Sequence, residues 1–318
     1  MSPEFSLPHI LQGEELNKVF HEALLRDYPL LYYCHNFTWG NWIDNNNCNM
    51  IPTYNYSQEF VKNTEHAIQK YMRNFDQIKH GTDYEKVKHV HDFCVANFHY
   101  DYTYHEYLYS ILSPLFYNVG VCSGISNFVK LALDYLQVKS FVVHGEVEDK
   151  DRKGATENHA WNIVKINDTP YHLDVTWDIC KSNEGMSSCL RHDYFNISDS
   201  VISYDHIIPN NVPSCLSSSH DYFVMNSLRA CNLSELRMII EKNLNNGITC
   251  FQTKLQLKNI RDTEAIKKKA DVIATEQYSS KNIHNVDIKP LVIPLNLVPS
   301  FKDVKRDYLL FEFKFKQN

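Results

Sequence analysis

Among the nine cysteines, at 34, 48, 94, 122, 180, 189, 215, 231 and 250, no two form a C-x-x-C pair. That argues against a zinc ribbon and against the dense framework of a small disulfide-held domain. A reduced, mostly buried set is expected, eight of the nine packing as small hydrophobes. No stretch approaches the roughly 20 consecutive apolar residues of a spanning helix, and the first fifteen positions lack the basic start and apolar run of a secretory leader. The expected location is cytoplasmic, or extracellular if a leader has been trimmed. Internal repeats and low-complexity segments are also missing, which removes solenoids and disordered tails from consideration. What remains is 318 residues, 43% hydrophobic and 22% charged, with material for one large or two modest cores.

Charge is unevenly spread. The net value is −6, yet residues 226–318 hold 16 Lys and Arg against 10 Asp and Glu, while residues 1–225 hold 16 against 28. A basic tail can grip an anionic partner, but docking against its own acidic neighbour is the favoured expectation. Nucleic acid is not an expected partner. The dense run Lys267 to Lys269 falls in a helical pattern and is expected on a solvated face.

Leu16, Val19, Phe20, Ala23 and Leu24 repeat at helical spacing, which predicts a helix over residues 14–26 that ends before Pro29. Residues 30–57 read as strands and turns with a loop at Asp44 to Asn49. Helices are expected over Gln58 to Phe75 and Asp83 to Phe98, the second capped by Asp83. Ile125, Phe128, Val129, Ala132, Leu133 and Leu136 mark a buried helix that opens near Cys122. Residues 140–147 form a β-branched run, and 158–166 and 171–178 read as a hairpin about Asn167 to Pro170. Beyond residue 225 the order is helix (233–244), strand (248–257), helix (262–278) and two strands (287–298, 308–316). In the last, Phe311, Phe313 and Phe315 alternate with Glu312, Lys314 and Lys316, the pattern of a strand with one wet face. Two domains are expected, 1–225 and a smaller basic α+β unit at 226–318, joined by the Ser-rich stretch 214–220.

A thiol attacks a carbonyl as thiolate, a form favoured at a helix N-terminus and beside an imidazolium. Cys122 has the first feature by position. Gly120 and Gly124 flank it and would let backbone or substrate approach the sulfur, and its own N–H, in the first helical turn, could face a developing oxyanion. The hairpin supplies the second feature. A two-residue turn at Asn167–Asp168 would pair Ile166 with Thr169 and, continued, set His159 against Thr176, with Asp174 two residues along on the same face, and a four-residue loop would shift the pairing but keep that face. A carboxylate there can orient the imidazole.

GVCSG opening a helix, then NHAWNIV, then YHLDVTWD resembles the transglutaminase-like superfamily, particularly its microbial members. VFHEALLRDYPLLYYC, DYEKVKHVHDFCVANFHYD and DYFNISDSVISYDH extend the resemblance over most of residues 14–225. It implies an α+β papain-like core, with helices packed on an antiparallel sheet. Cys122 would be nucleophile, His159 general base and acid, and Asp174 the residue that orients His159. It also implies a side-chain oxyanion donor before the cysteine, for which Tyr109 and then Tyr117 are the candidates, while Trp161 and Trp177 could wall a tunnel to the thiol. A thiolate–imidazolium pair needs no metal or cofactor. The position three after the cysteine, often aromatic in microbial relatives, is Ile125, and the zinc-binding cysteine pairs of peptide N-glycanases are missing. The expected activity is peptidase or amidase chemistry on a protein or peptide through a thioester. Protein-glutamine transfer or deamidation by the same residues is an alternative, and a silent binding or structural module is another.

Overall fold

The structure is a computed structural model that describes residues 5–6, 20, 27–41, 48–148, 155–183, 189–256, 263–279, 285–290 and 308–316. Apart from Phe20, the helix expected over 14–26 lies outside the described residues. Strands β1 (Phe5–Ser6), β2 (Cys34–Asn41) and β3 (Cys48–Tyr54) form a small sheet in the order β1-β3-β2. Cys48 and Asn49 therefore belong to a strand and not to the expected loop, because they pair with Asn41 and Gly40.

Helix α1 (Gln58–Met72) starts at Ser57, whose hydroxyl accepts the Phe60 N–H at 3.1 Å, and passes into a 3-10 turn at Arg73–Ile78. Helix α2 (Asp83–Asn97) is capped by Thr82 and not by Asp83. Thr82 and Glu85 exchange side-chain-to-backbone hydrogen bonds, and Asp83 is already helical, its charge favoured by the positive helix end. Short strands β4 (His99–Tyr100) and β5 (Val119–Gly120) pair in parallel, with helix α3 (Leu112–Tyr117) between them in sequence. Helix α4 (Cys122–Tyr135) follows and packs on α2. Phe75, Val87, Phe98, Phe128 and Leu133, all with 0% exposure, fill the core between these helices and the sheet beyond.

That sheet contains β6 (Ser140–Glu148), β7 (Thr156–Ile166), β8 (Thr169–Leu173) and β9 (His206–Ile207), in the order β8-β7-β6-β9, each pair antiparallel. Asn167 and Asp168 turn the chain with φ of 48° and 63°, the left-handed pair that a two-residue hairpin loop demands. Ile166 faces Thr169, and the register runs to Asn162 opposite Leu173. The second strand then stops short of the expected residue 178: Val175–Asn183 is helix α5. Asp174 Oδ1 accepts the Trp177 N–H at 3.2 Å, and this cap wins over the strand preference of Val175 and Thr176.

After the short helices α6 (Asp199–Ile202) and α7 (Tyr222–Met225) comes a second sheet, order β10-β11-β13-β12, made of β10 (Arg229–Ala230), β11 (Cys250–Gln256), β12 (Asn285–Pro290) and β13 (Tyr308–Lys316). Helices α8 (Leu233–Asn245) and α9 (Thr263–Ser279) accompany it, and Phe223, Ile240, Leu255, Ala274, Phe311 and Phe313 make a separate core. The face expected to be wet on β13 is only partly so: Lys314 is exposed, but Glu312 is 1% exposed. The stretch 214–220 is no free linker. Tyr171 Oη holds Ser219 Oγ at 2.7 Å and His220 Nδ1 at 2.9 Å, and Cys215 is buried. Of the cysteines described, Cys34, Cys94 and Cys215 are buried and Cys231 is exposed, so burial is less general than expected. Among the described residues no helix is long and apolar enough to cross a membrane.

Candidate active site

Helix α4 begins at Cys122 itself. Val121 before it is extended (φ −97°, ψ 178°), and its carbonyl accepts the Ile125 N–H at 3.0 Å. Cys122, Ser123 and Gly124 thus occupy the first turn, whose N–H groups have no acceptor within a helix. The Leu108 carbonyl accepts the Val121 N–H at 3.3 Å, and a Cβ on Gly124 would lie 2.4 Å from that same oxygen. Gly124 is therefore demanded by the backbone of 106–109, not by an approach to the sulfur. Gly120 is less constrained, its nearest neighbour being the Ile125 side chain at 3.3 Å.

Two buried hydrogen bonds set the separation of α4 from β7. Ser126 Oγ, one turn past Cys122, donates to the Ala160 carbonyl at 3.0 Å, and Asn162 Nδ2 donates to the Ser126 carbonyl at 3.0 Å. His159, next to Ala160, is thereby held within hydrogen-bonding reach of the Cys122 thiol. Across the sheet His159 pairs with Gly145, where a Cβ would meet the Trp161 ring at 2.4 Å. Glycine at 145 makes room for that indole, which stacks beside the imidazole at 6.0 Å between centroids.

His159 Nε2 lies 2.9 Å from Asp174 Oδ2, leaving Nδ1 as the nitrogen for the sulfur. Asp174 is anchored on all sides. Its N–H donates to the Tyr194 carbonyl at 3.0 Å, Oδ1 caps α5, and Oδ2 receives a second imidazole, His206 Nε2, at 3.0 Å. Helix α5 is itself fixed by Asp178, whose carboxylate meets His91 Nε2 at 3.1 Å and the N–H groups of Asp193 and Tyr194 at 3.0 and 3.2 Å. Burial works against charge on His159, but the Asp174 carboxylate, with a smaller contribution from Cys122, outweighs it and raises the imidazole to about 10. Burial likewise pushes Asp174 upward, and the His159 and His206 rings outweigh it and hold the carboxyl well below its usual range. A carboxylate beside an imidazole beside a thiol can move the thiol proton onto the ring, leaving a thiolate nucleophile and an imidazolium that can return the proton to a leaving nitrogen.

The remaining expected residues fare differently. Trp161 is 0% exposed and donates through Nε1 to His172 Nδ1 at 3.0 Å, so it fills the core behind His159 and walls no tunnel. Trp177 is half-buried, 5.9 Å from the His159 ring and 4.6 Å from His206. Tyr109 and Tyr117 are both exposed, the latter leaning on Tyr107. Two tyrosines that the spacing did not single out feel the Cys122 sulfur: Tyr100 and Tyr104, which hydrogen-bond each other. Burial pushes both phenols up, with Cys122 the next cause for Tyr100 and a smaller one, after Glu157, for Tyr104. Tyr104 also sits at φ 54°, an unfavourable conformation for a residue with a side chain. His206 escaped notice as well, although it ends the motif DYFNISDSVISYDH.

Three groups among the described residues gather potential metal-ligand atoms within 4.8 Å of one another: His91 with Asp92 and His192, His159 with Asp174 and His206, and His172 with Asp199 and Cys215. In the last, the Trp161 N–H on His172 Nδ1 forces the imidazole proton onto Nε2, which donates it to Asp199 Oδ1 at 2.8 Å. That nitrogen has no lone pair for a cation.

Residues 71–175 match the transglutaminase-like superfamily, a span that includes Cys122, His159 and Asp174 and excludes His206. Among solved structures the chain is similar to a TGase, at 13% identity and a TM-score of 0.32, over 54% of this chain and 49% of that one. It is also similar to a candidate cysteine protease from Cytophaga hutchinsonii, at 11% identity and a TM-score of 0.25, over 44% of this chain and 61% of that one. The chain thus spans about half the length of the first of these. No curated protein matches it.

Proposed function

We propose that this transglutaminase-like chain is a cysteine-dependent amide-bond enzyme that cleaves a carboxamide or peptide bond of a protein or peptide through a thioester on Cys122. The observation that carries the reading is the buried His159 ring, held between the Cys122 thiol and the Asp174 carboxylate. His159 takes the thiol proton, and the sulfur attacks the carbonyl carbon. The first-turn N–H of Cys122 stabilises the oxyanion, with a Tyr104 or Tyr100 hydroxyl as the side-chain donor. The His159 imidazolium then protonates the leaving nitrogen, the C–N bond breaks, and ammonia or an amine departs. Water, giving its proton to His159, attacks the thioester carbon; the C–S bond breaks and the thiol is restored. Asp174 keeps the Nε2 proton in place throughout.

An amine in place of water would give transfer, and the same residues serve either acceptor. The test is incubation with a glutamine-containing peptide, with and without a primary amine, read by mass. Backbone fragments mean proteolysis, a gain of about 1 Da deamidation, and loss of about 17 Da with addition of the amine transfer. Cys122→Ala is expected to abolish every change while leaving the circular dichroism intact. A Cys122→Ala protein as active as the parent would refute the proposal.

A further inference from the structure

We infer that His206 is a positioning residue of this site, acting on His159 through Asp174; the inference rests on the reaction proposed above. His206 is 2% exposed, so no substrate reaches it. Its Nε2 nevertheless lies 3.0 Å from Asp174 Oδ2, the oxygen that His159 Nε2 meets at 2.9 Å. With Asp174 ionised, both nitrogens must carry their protons to face it. One carboxylate oxygen therefore receives two imidazole N–H groups while Oδ1 receives the Trp177 N–H, which stops rotation of the carboxylate about its own bond. Without His206 the carboxylate keeps only His159 on Oδ2 and the Trp177 N–H on Oδ1, and Oδ2 is freer to turn away from the ring.

His206 is in turn braced. Nδ1 lies 2.7 Å from Asp205 Oδ1, and the Tyr194 hydroxyl donates to Asp205 Oδ2 at 2.5 Å. Its backbone pairs with Val147 on the edge of the sheet that carries His159. The ring packs against Trp177 at 4.6 Å, Trp161 at 5.1 Å and Tyr194 at 5.6 Å. The titratable groups that face it are His159, His172, Asp174, Tyr194 and Asp205. A side chain that merely filled this space would not need both nitrogens aimed at carboxylate oxygens.

The experiment is an NMR titration of the His159 ring in the full chain. His206→Phe fills the space but gives no N–H, and His206→Gln restores a donor. In His206→Phe two effects oppose: Oδ2 loses a donor that competes with His159, which raises the His159 midpoint, and the carboxylate loses a restraint, which lowers it. The second must win if His206 positions Asp174, the midpoint falling by about one pH unit from about 10 in the parent. Alkylation of Cys122 by iodoacetate at neutral pH should slow alongside, and His206→Gln should recover both. A midpoint unmoved or raised in a folded His206→Phe protein overturns the inference. Should that variant not fold, the parent still decides: the nitrogen spectrum must show His206 protonated at Nε2, and an unprotonated Nε2 overturns the inference equally. A parent whose Cys122 is inert to iodoacetate would defeat the proposed reaction instead, leaving the His206 measurement to stand by itself.

Discussion

Replacing Asp174 by Asn tests the site most directly, because it deletes one charge and almost no volume. The His159 imidazole stands at about 10 against an ordinary 6.5. At about 1.4 kcal/mol per pH unit, that rise corresponds to on the order of 5 kcal/mol favouring the imidazolium. Neither partner has much solvent to screen the pair, since the His159 and Asp174 side chains are 6% and 0% exposed. With the carboxylate gone, burial still pulls the imidazole down and only Cys122 still raises it, so the ring loses the lift that Asp174 supplies. The new amide must also meet two ring N–H groups with one oxygen while its NH2 finds no acceptor among them. His159 then loses its fixed tautomer, an effect worth roughly 10⁴ in kcat where a catalytic triad loses its carboxylate in this way. The assay is the rate of Cys122 alkylation by iodoacetamide between about pH 5 and pH 10, read by mass, alongside turnover of whichever amide the parent accepts. Stability should fall by roughly 3 kcal/mol as well, since one partner of a buried pair is removed. An Asp174→Asn protein that is folded and alkylates at the parental rate at pH 7 would refute the electrostatic argument.

Ser126→Ala removes the hydroxyl that ties α4 to the Ala160 carbonyl; it should cost about 1 kcal/mol in urea unfolding and lower kcat more than KM, and an unchanged kcat would show that this clamp does not set the thiol-to-imidazole spacing. Gly145→Ala drives a methyl to 2.4 Å from the Trp161 ring, so a loss of about 1–3 kcal/mol is expected in thermal unfolding, and a neutral outcome would mean that the indole moves freely. Raised imidazoles such as His159 and His91 give stability that is complete below about pH 6.5 and lost as pH climbs through their folded values. Asp174, depressed, gives stability present above the ordinary carboxylate range and lost as pH falls through its lower folded value. His172 and His192, lowered chiefly by burial, cost stability as pH drops below about 6.5. The denaturation midpoint should therefore decline toward pH 10, and His159→Gln should flatten that decline; an equal decline in both proteins would remove His159 as its source.

Much of this architecture is written in local chemistry. The apolar period after Cys122 predicts a buried helix, and that helix starts at Cys122. Two strand-like runs about Asn167 to Pro170 predict a hairpin with a two- or four-residue loop, and the shorter loop forms, Ile166 facing Thr169. Extrapolating that register to a His159–Thr176 pair fails because Asp174 ends the strand and caps a helix. Asp174 meets His159 all the same, since it leaves the strand on the face that the register had assigned to it. Glu312 misleads for a different reason: alternation along β13 reports which side faces the Phe core, not whether something else covers the other side.

The sequence by itself determined where helix α4 opens, where the hairpin turns, and that one thiol, one imidazole and one carboxylate come in the order a transglutaminase-like core uses. Backbone preferences and side-chain period act over a few residues, and those features lie within that range. Only the tertiary structure decided that Ser126 grips Ala160, that Gly145 yields space to Trp161, that Tyr100 and Tyr104 stand by the sulfur, and that His206 shares an oxygen of Asp174. Each of those contacts depends on the strand order β8-β7-β6-β9 or on the docking of α4, which bring together residues far apart in the chain, and no periodicity links such partners.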